Sequence, residues 1–289
     1  MWEPTTWRIK DRLVDVRFPL VMGILNVTPD SFHVESRVDL EQALRTTERM
    51  LEDGAAIIDI GGASSRPGAE EVALEVELSR VVPVITALRK RFPNTLLSID
   101  SYRASIAKEA VEAGAGMVND IGAGLLDEAM LEVVAKNNVP YIMMHMQGTP
   151  RTMQRAPQYK DVATEVTLFL SERLLAARNA GIPDVLLDPG FGFGKTTDHN
   201  FTLLRELERI KVLGAPVLVG LSRKRMINEV LGTTTKDALN GTTVANTMAL
   251  MNGASVLRVH DVKAAVEATK LVNYSGPPPM LSSGSGSTV

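Results

Sequence analysis

The chain has 289 residues, 45% hydrophobic and 22% charged, with a net charge of −3 and no cysteine. This is the composition of a globular protein; it excludes disulfides and thiol catalysis and gives no reason to expect nucleic acid or an anionic membrane as a partner. No apolar run has the length of a membrane span and the N-terminus lacks a signal-peptide pattern, so a cytoplasmic location is expected.

Residues 1–19 read as an N-terminal extension, a lid or hairpin over the bottom of the domain that begins at residue 20. From there onward, short apolar runs alternate with longer segments of helical spacing. The runs are "LVMGIL" (20–25), "AAIIDI" (55–60), "TLLSID" (95–100), "AGMVND" (115–120), "VPYIMM" (139–144), "DVLLD" (184–188), "APVLVG" (215–220) and "ASVLRV" (254–259). Helical spacing is clearest in "DLEQALRTTERMLEDG" (39–54), "SIAKEAVEAG" (105–114) and "VATEVTLFLSERLLAARNAG" (162–181), which close on glycine, a common helix stop. Strands apolar on both faces, each followed by a helix, imply a parallel sheet covered by helices. Eight of them predict a single-domain α/β fold, a (β/α)8 TIM barrel over residues 20–274. An open doubly wound sheet would place a glycine-rich dinucleotide turn after the first strand, where "NVTPDSF" stands instead. The Pro-, Gly- and Ser-rich tail, 275–289, is expected to be disordered.

In such a barrel the chemistry gathers where the strands end. Read in order, those ends carry Asn26, Thr28 and Asp30; Asp59, Ser64, Ser65 and Arg66; Asp100; Asn119 and Asp120; His145 and Gln147; Asp188; Ser222, Arg223 and Lys224; and Arg258 and His260. A lone Asp at a strand end is more often a helix cap or turn residue than a ligand group. Polar groups at all eight ends point to a ligand site at the mouth. Asp100, Asn119, Asp188 and Lys224 suit a flat heterocycle bearing both donors and acceptors. Arg66, Arg258 and His260, with Ser64 and Ser65 in a glycine-flanked loop, suit phosphate or pyrophosphate. Asn26 and Asp30 offer oxygen ligands to Mg²⁺.

The stretch "VLLDPGFGFGKTTDHN" (185–200) ends its glycines on Gly194-Lys195-Thr196, as a nucleotide-binding P-loop does. The spacing fails: the first glycine of that motif would fall on Pro189, which also lacks the N–H a phosphate cradle uses. The better reading gives the ligand to Asp188. The glycines then allow a sharp turn beside a ring, and Phe191 and Phe193 stand as pocket walls or core.

Taken in order, "GILNVTPDSF" (23–32), "DIGGASSRPGA" (59–69), "SIDS" (98–101), "VNDI" (118–121), "MMHMQGTP" (143–150), "LLDPGFGFGK" (186–195), "VGLSRK" (219–224) and "LRVHDV" (257–262) resemble the dihydropteroate synthase family over nearly the whole chain. The resemblance implies condensation of 6-hydroxymethyl-7,8-dihydropterin diphosphate with p-aminobenzoate in folate biosynthesis, releasing pyrophosphate by an SN1-like path. It implies Mg²⁺ on Asn26, and catalysis by Asp100, Asp188, Lys224, Arg258 and His260. It gives the pterin to Asp100, Asn119, Met143, Asp188, Phe193, Lys224 and Arg258, and the pyrophosphate to Asn26, Ser65, Arg66, Arg258 and His260. The p-aminobenzoate falls to Ser65, Arg66, Phe193 and Ser222. A homodimer and inhibition by sulfonamides are implied in the same way.

Two loops depart from the family pattern. The first reads "NVTPDSFHVESR", with Val34 where a carboxylate is usual and Glu35 after it; the second has Ala63 in place of Glu and Ser65 in place of Thr. Two other readings are a pterin-binding paralogue without synthase activity, suggested by the altered first loop, and a methyltetrahydrofolate-binding methyltransferase. The methyltransferase has no need of "SSRPG", "SRK" and "RVH" together.

Overall fold

The computed structural model describes residues 5–27, 37–63, 72–149, 152–153 and 156–275. The chain opens with strands β1 (Thr5–Ile9) and β2 (Arg12–Val16), then alternates: β3 (Leu20–Asn26), α1 (Arg37–Glu52), β4 (Ile57–Gly61), α2 (Leu74–Arg91), β5 (Leu96–Asp100), α3 (Ala104–Ala113), β6 (Met117–Asp120), α4 (Met130–Asn137), β7 (Tyr141–Met144), α5 (Val162–Asn179) and β8 (Val185–Asp188). It ends with α6 (Thr197–Arg205), α7 (Glu208–Lys211), β9 (Leu218–Val219), α8 (Arg225–Leu231), α9 (Leu239–Met251), β10 (Val256–Val259) and α10 (Val262–Ser275).

The eight strands β3 to β10 pair in parallel in the order β8-β7-β6-β5-β4-β3-β10-β9. A parallel bridge from Leu187 to Val217, with Leu187 N–H donating to Pro216 O at 2.9 Å, joins the two ends of that row and closes the barrel. The expected TIM barrel is therefore the fold. The run expected over 215–220 contributes only Leu218–Val219 as ladder, the shortest of the eight strands.

Strands such as β4, Ile57-Ile58-Asp59-Ile60-Gly61, are buried along their whole length because the sheet is covered on both faces. Outward side chains, among them Ile58, Ile60, Val118, Met143 and Leu187, pack on the helices in one core. Inward side chains near the strand starts, Met22, Ile57, Met117, Ile142, Leu186, Leu218 and Val256, form a second core inside the barrel. Trp7 and Val16 of the β1–β2 hairpin complete it, with Trp7 only 2% exposed and its ring 5.8 Å from Phe18. The hairpin thus stoppers the lower end. Arg8 N–H donates to Asp184 Oδ2 at 2.6 Å and Lys10 N–H to Asn138 O at 2.7 Å, which tie it to the lower loops. Among the described residues no helix is long and apolar enough to cross a membrane. The tail expected to be disordered lies outside the described residues, apart from Ser275 at the end of α10.

Candidate active site

Interior filling by apolar side chains stops towards the strand ends, and polar ones take over. Alternation along the strands points Asn26, Asp59, Asp100, Asn119, Asp188 and Arg258 inward above the apolar layer. Arg258 donates from Nε to Asp59 Oδ2 at 2.6 Å and from Nη2 to Asp100 Oδ2 at 2.5 Å. Asn119 Nδ2 donates to the same Asp59 oxygen at 2.9 Å. Asp59, fully buried, is thus the hub of the cluster, and the sequence reading gives it no binding role. Its other oxygen, and the hydroxyl of Ser98 beside it in the β4–β5 register, are buried without a partner among the described residues.

Charge and burial compete here. Burial pushes the Asp100 carboxyl up to about 7; Arg258 pulls against it, while Asp59, Glu77 and Asp120 add to the rise. Burial pulls Arg258 down, but Asp59 and Asp100 outweigh it and the guanidinium ends above its ordinary value. A buried arginine facing two carboxylates stays charged; one of those carboxylates sits near neutrality.

Across the mouth, Asp188 ends β8. Burial raises its pKa, opposed first by Lys224. Its Oδ1 accepts from Gly190 N–H at 2.7 Å, and among the described residues Oδ2 has no hydrogen-bond donor. The turn after it bends through Gly190, Gly192 and Gly194, all at positive φ. At Gly190 a side chain is impossible, because a Cβ would lie 1.8 Å from His145 O. Lys224, leading into α8, donates Nζ to Phe191 O and lies 4.5 Å from the centre of the Phe193 ring, a cation–π contact. Burial lowers the Lys224 ammonium to about 8, opposed by Asp188. Of the two phenylalanines, Phe191 is core, fully buried, and Phe193 is half-buried with its ring against Lys224.

The remaining rim groups fall in two places. Ser222 Oγ lies 2.9 Å from His260 Nδ1 and also accepts from His260 N–H at 3.2 Å, which binds the ends of β9 and β10 together. Asn26 and Asp100 flank Gly61: a Cβ there would be 3.6 Å from Asn26 Oδ1 and 3.6 Å from Asp100 Oδ2. Ser65 and Arg66, with Thr28, Asp30, Val34, Glu35 and Ser64, lie outside the described residues.

Three rim residues depart from the sequence reading. Met143, expected to line the pterin pocket, is fully buried in the helix-side core, because strand alternation turns it outward. Met144, paired with Asp188 in the register, is the methionine on the interior face. His145 is buried against Lys195 and does not open onto the rim. Asp120 is structural: its carboxylate accepts from Gly122 N–H at 2.6 Å, Gly124 N–H at 2.7 Å and Tyr141 OH at 2.6 Å, and so pins the loop after β6.

Two opposed groups, a cluster of carboxylate, amide and guanidinium facing a carboxylate, lysine and aromatic ring, give the barrel a polar mouth of the kind enzymes use for flat polar heterocycles. The family model for pterin binding enzymes matches residues 22–260. The chain is 44% identical over 262 residues to the dihydropteroate synthase of Escherichia coli, covering 90% of this chain and 92% of that one. Among solved structures, the Yersinia pestis dihydropteroate synthase with a sulfonamide drug superposes with a TM-score of 0.87 at 43% identity, covering 93% of this chain and 98% of that one. The Xanthomonas albilineans dihydropteroate synthase with 4-aminobenzoic acid gives a TM-score of 0.85 at 44% identity, covering 94% and 100%. The chain belongs to the pterin binding enzymes and, within them, to the dihydropteroate synthases.

Proposed function

We propose that this dihydropteroate synthase joins 6-hydroxymethyl-7,8-dihydropterin diphosphate to p-aminobenzoate by letting the diphosphate depart before the arylamine attacks. The observation that carries this reading is the pair Asp188 and Lys224, held on either side of one turn and facing the Asp59–Asn119–Arg258–Asp100 cluster. Asp188, with an oxygen to spare, accepts from the ring's amino and N–H groups; Lys224 donates to its carbonyl or ring nitrogen; Asn119 and Asp100 serve the opposite edge. Met144 takes the wall position given to Met143 in the sequence reading.

The C–O bond to the diphosphate breaks and leaves a cation that the pterin ring delocalises. Asp100 and Asp188, as carboxylates, stabilise that charge. Arg258 and His260, with Ser65 and Arg66, hold the departing diphosphate, and Ser222, Ser65, Arg66 and Phe193 hold the arylamine in line. The amine nitrogen then bonds to the methylene carbon and loses a proton to water or diphosphate, so no strong base is needed. Asn26 Oδ1 is a hard oxygen donor at the rim, which fits Mg²⁺, an ion that takes few protein ligands and completes its shell with water and substrate phosphate. When bound, such an ion neutralises charge on the diphosphate.

The ligands carried by the Xanthomonas and Yersinia structures support p-aminobenzoate as substrate and sulfonamides as inhibitors of this chain. A cytoplasmic homodimer belongs to the same reading. The test is pyrophosphate release by the purified chain with the dihydropterin diphosphate and Mg²⁺, with and without p-aminobenzoate. Release that depends on the arylamine and is lost in Asp188→Ala and Lys224→Ala is expected. Pterin binding without release would instead make the chain a binding paralogue.

A further inference from the structure

We infer that Lys195 is a positioning residue of the pterin site: a buried cation that clamps the turn carrying Asp188, Phe193 and the carbonyl that holds Lys224. The inference rests on the reading that Asp188 and Lys224 bind the pterin.

The lysine that imitates a nucleotide-binding motif in the sequence turns inward and is 3% exposed. Its Nζ donates to Gly190 O at 2.9 Å, to Phe193 O at 3.1 Å and to His145 Nδ1 at 2.9 Å. An ammonium has three hydrogens and no lone pair; this pocket presents three acceptors. A neutral amine would leave one acceptor unserved, so the pocket is shaped for the cation, although burial pulls Lys195 down to about 7 against the favourable charge of Asp188. His145 can accept because it is neutral. Burial, and then Lys195 itself, push the imidazole down to about 2, and the rings of Tyr159 and Phe169 stand 6.1 and 4.9 Å from it.

The clamp sits where three glycines leave the backbone little able to hold its own shape. Gly190, Gly192 and Gly194 give residues 190–194 much conformational freedom to lose. Both carbonyls that Lys195 grips belong to residues with a task on the other side of the turn. Gly190 donates its N–H to Asp188, and the Phe193 ring carries Lys224. Two lysines therefore hold one turn, Lys224 from the ligand side and Lys195 from behind.

The absence of cysteine from the chain makes the test specific. Lys195→Cys, alkylated with 2-bromoethylamine in denaturant and refolded, regains an ammonium of nearly the same length at that position alone; the wild type passes through the same cycle as a control. Folded Lys195→Met and unalkylated Lys195→Cys are expected to raise KM for the dihydropterin diphosphate by about tenfold or more, the equivalent of one charged hydrogen bond lost in holding the turn. The p-aminobenzoate KM changes less, because Ser222, which also holds the arylamine, lies off this turn, and alkylation restores the pterin KM. An unchanged pterin KM in a folded variant, or an alkylated chain that refolds without regaining affinity, overturns the inference. If neither unalkylated variant folds, His145→Leu decides, since it leaves Lys195 with one acceptor fewer: a raised pterin KM supports the inference and an unchanged one overturns it. Asp188→Ala runs alongside. If it leaves the pterin KM unchanged, the underlying reading of the site fails; if it raises the KM while the Lys195 variants do not, only the role of Lys195 fails.

Discussion

Arg258 and Asp59 form an ion pair at 2.6 Å inside the barrel mouth, and the same guanidinium reaches Asp100 at 2.5 Å. Three strands are joined through one side chain, and Asn119 adds a fourth through Asp59. Asp59 should therefore matter to binding without meeting solvent. Asp59→Ala is expected to destabilise the fold by about 3 kcal/mol, the cost of leaving a buried partner uncompensated. Asp59→Asn leaves Arg258 its pair with Asp100 and should cost less stability, but still lower kcat/KM for the pterin substrate strongly, because Arg258 and Asn119 lose their common charged anchor. Denaturant unfolding and steady-state kinetics on both variants check this; full activity in a folded Asp59→Asn would remove Asp59 from the site.

On the proposed reading of the site, the pH dependence arises from one carboxylate and two lysines. Asp100 must be ionised to hold Arg258 and accept from the ring, and it takes up a proton below about 7. Lys224 must be protonated to donate and Lys195 to clamp the turn, and they lose their protons above about 8 and about 7. Activity thus falls on the acid side as Asp100 becomes neutral and on the alkaline side as the two lysines become neutral. kcat/KM, which reports the free enzyme, should be bell-shaped with a narrow top between those values. A profile flat through that range would contradict the assignment.

Glu77, buried on α2, accepts from Ser101 Oγ at 2.7 Å and Arg103 Nη1 at 2.9 Å. It fastens the helix to the loop that starts right after Asp100. Glu77→Gln is expected to cost about 3 kcal/mol of stability, since it strips the charge from a buried pair. Together with Arg103→Met it should show a coupling of about 1 kcal/mol or more in a double-mutant cycle. Additive losses would mean that Arg103 takes its anchor elsewhere.

Trp7 offers the converse case. It seals the end of the barrel opposite the mouth. Trp7→Ala should lose about 3 kcal/mol, as large-to-small changes in a core do, with KM for both substrates unchanged. Thermal unfolding and kinetics together separate the two effects, and a raised KM would show that the base communicates with the mouth.

The barrel is legible in the sequence because its strands are apolar on both faces and several of its helices stop at or just before glycines; both signals are local. The polar strand ends are legible for the same reason, as each is a break in an apolar run. Orientation is not. Met143 and Met144 are alike in the sequence, and only the register with Asp188 shows which one faces inward. Asp59 is visible at its strand end, but its role as hub depends on Arg258, 199 residues away. Lys195 is recognisable as no phosphate ligand, yet the three acceptors it fills come from two separate segments and a fold must bring them together. A positive signal is present in that last case, a lysine embedded in a glycine-rich turn, and spacing alone reads it only for what it excludes.

The barrel's ring is not uniform. Between β8 and β9 the backbone supplies little more than the bridge from Leu187 to Val217, and just above that seam stand Asp188 on one lip and Lys224 on the other. A heterocycle gripped by both acts as a rivet, fastening from above what the peptide chain has only basted together. Binding energy and ring closure are then the same transaction. The amides of Leu218 and Val219 should exchange their hydrogens more slowly once a pterin is seated, while those of β4 and β5, already fully laddered, should hardly notice.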